Sequence, residues 1–171
     1  MTAQTEPSLR QLLADLHAER VRTWDPAALQ VNINQRKTLV ETANPAGFVK
    51  IGERLEPFGL IEVDQGPLDI DAVLERGPAV LILFRFAGCP ACNIALPYYN
   101  RALAPKLAAL GATLIAVSPQ DPLRLREIKD RHHLDFLVAS DGNALGARLG
   151  VLYTFDEASK AATRAKGAFT R

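Results

Sequence analysis

The run Ala79–Phe86, AVLILFRF, constrains the chain more than any other segment. Arg85 is its one polar residue, and the rest is apolar and rich in strand-forming side chains. A run of this kind reads as a central parallel strand covered on both faces. Two more apolar runs follow, Ala112–Val117 and Phe136–Ser140, and helix-length segments separate them. The first spans 92–110 and is stopped by Gly111. The second opens at Asp121-Pro122, an N-cap followed by proline at the first helical position, and runs to about Arg131. Upstream, Leu60–Val63 reads as a short strand and 68–76 as a short helix stopped by Gly77-Pro78. Downstream, Asp141-Gly142-Asn143 turns into a short helix carrying Leu145 and Leu149. Strands alternating with helices predict a layered α/β sheet with right-handed crossovers. In such sheets chemistry sits where strands end and helices begin.

Ahead of this pattern the grammar is helical. Ser8 caps a segment with Leu9, Leu12, Leu13 and Leu16 at helical spacing, and Asp25-Pro26 starts a second, with Leu29, Ile33 and Val40 on one face. Asn44-Pro45-Ala46-Gly47 ends it, and Trp24 packs near the corner between the two. The expected organisation is a helical leader over 1–47, an α/β domain over 48–155, and a polar tail over 156–171, either an amphipathic helix or disordered. A chain of 171 residues with 48% hydrophobic residues can bury one core of this size. Twenty basic residues against 19 acidic ones argue against a nucleic-acid binder that works by neutralising phosphates. No apolar run approaches a membrane span, and the polar opening segment shows no secretory signal, so a cytoplasmic location is expected.

The chain has only two cysteines, and Cys89-Pro90-Ala91-Cys92 joins the AVLILFRF strand to the next helix. Spacing of three on a first helical turn brings the two sulfurs within bridging reach. Cys89 near the N-cap meets free backbone N–H groups and the helix dipole, which stabilise a thiolate. Pro90 fits the first turn, and Cys92, one turn in, is expected to be the more buried, resolving thiol. A zinc site wants four ligands and no second pair exists, although zinc shared across a dimer and an inert buried pair are the competing readings. Arg85, four residues before Cys89, is a candidate cation for negative charge at the cysteine pair; its bland alternative is a surface ion pair. Ser118-Pro119-Gln120 ends the neighbouring strand and either lines a substrate site with Gly88 and Pro90 or simply makes a turn. His132-His133 reads as a solvated helix end, not as a metal site.

The stretch from Ala79 to about Thr154 resembles the peroxiredoxin-like branch of the alkyl hydroperoxide reductase/thiol-specific antioxidant family. The likeness rests on LILFR, on Cys-Pro-x-Cys-Asn over Cys89–Asn93, on GATLIAVSPQ over Gly111–Gln120, and on FLVASDGNALGARLGV from Phe136. It implies a thioredoxin-like three-layer α/β sandwich behind an N-terminal helical hairpin. It also implies a peroxidase that reduces hydroperoxides through Cys89 and Cys92, is restored by a thioredoxin or glutathione system, and uses no metal or organic cofactor. Relatives carry tryptophan and tyrosine where this chain has Gly88 and Ala91, and Pro97 is more like thioredoxin. The Pro-x-x-x-Thr-x-x-Cys motif is absent: aligned on Thr-x-x-Cys the peroxidatic residue is Cys92, aligned on thioredoxin it is Cys89. Cys89 is favoured as the more exposed thiolate. The alternatives are a general thiol–disulfide oxidoreductase and a non-catalytic thioredoxin-like binding protein. The resemblance also implies a C-terminal hairpin, a cis-proline and a last helix that this sequence does not supply. Ala79–Phe86 would then be an open edge, to be covered by a second copy of the chain or by 156–171.

Overall fold

The computed structural model of the chain describes residues 6–165. Two compact units emerge: 49–151 form one, and the described residues of 1–48 and 152–171 form the other.

The helical unit begins with α1 (Leu9–Thr23) and α2 (Pro26–Thr42). Both start where local chemistry says they must. Ser8 Oγ accepts the Gln11 N–H at 3.2 Å, and Asp25 Oδ1 accepts the Ala28 N–H at 3.0 Å. The leucine stripe of α1 is half-buried, and the Arg20 guanidinium lies 5.1 Å from the centre of the Trp24 ring. On α2 the expected face is corrected at one position: Val40 is 78% exposed and Leu39 is half-buried in its stead. Gln35 is buried and its side-chain carbonyl accepts the Asp156 N–H at 2.7 Å. Asp156 in turn accepts the Ser159 N–H, opening the last described helix of the chain (Glu157–Ala165). The tail is therefore helical over those residues and packs with α2.

The α/β unit holds β1 (Leu60–Glu62), β2 (Gly66–Leu68), α3 (Ile70–Glu75), β3 (Ala79–Leu83), α4 (Pro90–Ala102), α5 (Ala104–Ala109), β4 (Thr113–Ser118), α6 (Pro122–His132), β5 (Leu137–Ser140) and α7 (Ala144–Arg148). The tail helix after it is α8. The sheet order is β2-β1-β5-β4-β3. β3, β4 and β5 run parallel, with Leu81 opposite Ile115 and Val117 opposite Ala139. β1 is antiparallel to both β5 and β2. The fold is a thioredoxin-like α/β sandwich. Residues alternate across β4: Leu114 and Ala116 join the core that includes Leu96, Leu125 and Ile128, whereas Ile115 and Val117 join the core of Val73 and Leu145.

Three expectations are corrected. β3 borders the sheet, as the missing hairpin implies, and its Leu83 is 43% exposed, so the cover on both faces expected of this run belongs to β4, whose residues from Leu114 to Val117 are at most 4% exposed. Apolarity reports burial of faces and carries no information on which strand has two neighbours. The strand also stops at Leu83, so Phe84–Gly88 is loop. The 92–110 helix is two helices: it starts at Pro90 and breaks at Leu103, where Pro105 in the first turn of α5 has no N–H to continue the ladder. β2 was not expected, because Gly66-Pro67 reads as a turn; an outermost strand tolerates the missing donor of proline. The β1–β2 turn is held from inside. Glu62, 1% exposed, accepts the N–H groups of Asp64 and Gln65 at 2.7 and 2.9 Å and the Lys129 ammonium at 2.8 Å.

Candidate active site

The loop that leads from β3 into the cysteine pair has a backbone pinned at almost every peptide. The Phe84 N–H donates to the Val117 carbonyl at 2.9 Å, and the Cys89 N–H to the Phe86 carbonyl at 3.1 Å. The Ser118 hydroxyl donates to the Arg85 carbonyl at 3.0 Å. The Gln120 side-chain carbonyl accepts the Ala87 N–H at 2.7 Å. Ser118 and Gln120 thus lie beside the motif, as the parallel pairing of β3 with β4 requires, and their polar groups engage the loop backbone. Pro119 is exposed between them, and Gly88 and Pro90 are exposed on either side of the buried Cys89.

Cys89 is the N-cap of α4. Its backbone is extended, at φ −71° and ψ 118°, and its Sγ accepts the Cys92 N–H at 3.3 Å. Arg85 Nη2 donates to the same sulfur at 3.3 Å, and its guanidinium lies 5.5 Å from the centre of the Phe86 ring. The hydrogen bond from the Cys92 thiol, then the Arg85 hydrogen bond and charge, and then the Cys92 N–H outweigh burial and bring the Cys89 thiol down to about 5. Cys92 moves the other way. Its hydrogen bond to Cys89, burial and the neighbouring Cys89 charge all push its thiol up, with the Arg85 backbone N–H opposing. At neutral pH the pair is a thiolate beside a thiol, and both cysteines are free.

The expected exposures are reversed. Cys89 is 1% exposed and Cys92 8%, so Cys89 is not the more accessible sulfur. Capping explains this, because a side chain that bonds the first-turn N–H groups must fold back over its own helix. What distinguishes Cys89 is the set of donors around it.

Three further residues complete the site. Asn93, quoted above only as part of a motif, donates from Nδ2 to the Ala87 carbonyl at 2.7 Å and to the Cys89 carbonyl at 2.9 Å. Its Oδ1 accepts from Arg131 Nη1 at 2.9 Å and meets His132 Nε2 at 2.8 Å. Arginine only donates, which fixes the carboxamide orientation and requires the His132 proton on Nε2. His132 is therefore half-buried against the site, not a solvated helix end, and burial, then Arg131 and His133, lower its pKa. The signal in the sequence was an asparagine inside a helix, where its side chain has to find a backbone group. Among the described residues, no group of three His, Cys, Asp or Glu side chains could hold a metal ion, and no helix is long and apolar enough to cross a membrane.

A family model described as Redoxin matches residues 50–169. Among solved structures, the chain is similar to the peroxidoxin BcpB of Mycobacterium tuberculosis at 22% identity and a TM-score of 0.58, over 63% of this chain and 70% of that one. A mutant of PrxQ from Xylella fastidiosa is similar at 17% identity and a TM-score of 0.58, over 65% and 72%. Peroxiredoxin Q of Xanthomonas campestris gives 21% identity and a TM-score of 0.51, over 56% and 60%. At these identities the likeness establishes the shared fold. No curated protein matches the chain.

Proposed function

The chain belongs to the Redoxin family, and from that premise we propose that it is a thiol peroxidase in which Cys89 attacks a hydroperoxide and Cys92 resolves the product. The observation that carries this reading is the geometry of the Cys89 sulfur, 1% exposed and 3.3 Å from both Arg85 Nη2 and the Cys92 N–H, donors that lower its thiol pKa. A sulfur this covered suits a two-atom O–O bond better than the broad approach of a protein disulfide, which argues against a general thiol–disulfide oxidoreductase. Pro97, inside α4, is the feature that favours that second reading.

The chemistry closes. The Cys89 thiolate attacks the terminal peroxide oxygen, the O–O bond breaks, and Cys89 becomes a sulfenic acid while the departing alkoxide takes a proton from solvent. Arg85 supplies a fixed positive charge where negative charge moves from sulfur to oxygen. The second step is switched on by the first. The hydrogen bond to a Cys89 thiolate and the charge of that thiolate are two of the three causes that hold Cys92 protonated, and neither survives oxidation of Cys89. Cys92 then loses its proton, attacks the sulfenic sulfur, and the hydroxyl leaves as water, giving a Cys89–Cys92 disulfide. A dithiol reductant of the thioredoxin type, or glutathione, returns the pair to two thiols. The work is expected in the cytoplasm, with hydroperoxide and reductant as the small or protein partners.

Peroxide-dependent NADPH oxidation, coupled through a thioredoxin or a glutathione system, tests the reading; insulin reduction with no peroxide response would replace it with the oxidoreductase. Among the described residues β3 pairs with β4 alone, which supports a homodimer through its other edge, and sedimentation as a monomer would exclude it.

A further inference from the structure

The Asn93 side chain ties the cysteine loop to the far end of α6. Its amide N–H groups hold the carbonyls of Ala87 and Cys89, the second of which already receives the Asn93 backbone N–H at 3.0 Å. Ala87 is consequently gripped from both sides, by Gln120 at its N–H and by Asn93 at its carbonyl. The two peptides flanking Ala87 therefore have little freedom to turn, and with the Cys89 N–H held by the Phe86 carbonyl they set the direction in which the Cys89 side chain leaves the loop. The amide is loaded from behind by two cationic or polar donors, Arg131 and His132, both on its Oδ1. Donation into a carboxamide oxygen polarises the group and strengthens what its N–H donors can do. Protonating His132 leaves its Nε2–H in place, so this arrangement survives the titration of the histidine.

We propose that Asn93, loaded by Arg131 and His132, is a positioning residue that aims the Cys89 sulfur at Arg85 and at the first-turn N–H of α4. The inference rests on Cys89 being the reactive sulfur, and its test needs no peroxide. The rate of Cys89 alkylation by iodoacetamide, mapped by mass spectrometry, is followed against pH. Asn93→Ala is expected to move the midpoint up by about one unit, a roughly ten-fold loss of thiolate in the acid limb. His132→Phe removes one donor from Oδ1 and is expected to move it up by less. His132→Gln restores an N–H donor and is expected to return the wild-type profile, which a merely space-filling histidine would not require. A folded Asn93→Ala protein with the wild-type midpoint overturns the proposal, as does a His132→Gln profile displaced as far as that of His132→Phe. If Asn93→Ala does not fold, the His132 pair decides alone. Failure of peroxide turnover with these shifts intact would remove the peroxidase reading and leave the positioning role standing.

Discussion

Replacing Arg85 by glutamine removes a charge and keeps an N–H donor beside Cys89. At the observed 3.3 Å the gross attraction between guanidinium and thiolate is about 1 kcal/mol in a water-like medium and about 5 kcal/mol at an effective dielectric of 20. Desolvating both ions offsets part of this, and an opposite charge so close shifts an ionisation by about one to three pH units. The Cys92 thiol is the larger cause and stays, so the Cys89 value should climb from about 5 by about two units, still short of an ordinary cysteine. Near pH 5 the thiolate fraction then falls from about one half to about one hundredth, and alkylation of Cys89 slows roughly fifty-fold. Near pH 8.5 both proteins are ionised there and alkylation becomes equal, as both limbs of a rate–pH profile would record. If Arg85 also stabilises the departing oxygen, as the proposed mechanism requires, the peroxide reaction should remain about ten- to a hundred-fold slower even at that pH. An unmoved alkylation midpoint refutes the electrostatic reasoning. Full recovery of the peroxide rate at high pH refutes the transition-state part alone.

Other perturbations separate the remaining interactions. Cys92→Ser keeps a hydroxyl donor and should leave the Cys89 ionisation lower than Cys92→Ala does, while both variants stop at a sulfenic acid that a sulfenate-specific trap detects by mass. Lys129→Met leaves the Glu62 carboxylate, whose side chain is 0% exposed, without its cation, and denaturant unfolding should show a loss of about 3 kcal/mol. Burial opposes ionisation of Glu62, but the hydrogen bond from Lys129 and the N–H groups of Asp64 and Gln65 prevail and hold its carboxyl below the ordinary range. Its contribution is therefore present above the usual carboxylate value and lost as pH falls through the lowered one, so the stability deficit of Lys129→Met should shrink as pH falls through that range. Gly77 has φ +145°, and a Cβ there would collide with the Gly111 carbonyl oxygen; Gly77→Ala should cost about 2–4 kcal/mol in the same assay.

What was legible in the sequence was what local chemistry decides. Ser8, Asp25 and Asp121 start helices because a short oxygen side chain reaches N–H groups two or three residues on, whatever surrounds it. Cys89 at a strand-to-helix junction was legible for the same reason. The misreadings concern partners far along the chain. Val40 against Leu39, and β3 against β4, depend on which neighbour arrives, and apolarity alone does not name it. The bridge from Asn93 to His132 spans 39 residues and exists only because α4 and α6 pack side by side. The burial of Cys89 follows from its capping geometry, which spacing suggests, yet the donors that ionise it had to be seen in place.

The most direct measurement is a titration of the reduced protein with hydroperoxide, followed by mass mapping of both cysteines. One Cys89–Cys92 disulfide per peroxide consumed, with a transient sulfenic acid on Cys89 that persists when Cys92 is replaced, is the predicted result. Both cysteines remaining reduced at modest peroxide excess, or a stable sulfenic acid on Cys92 with Cys89 untouched, would contradict it.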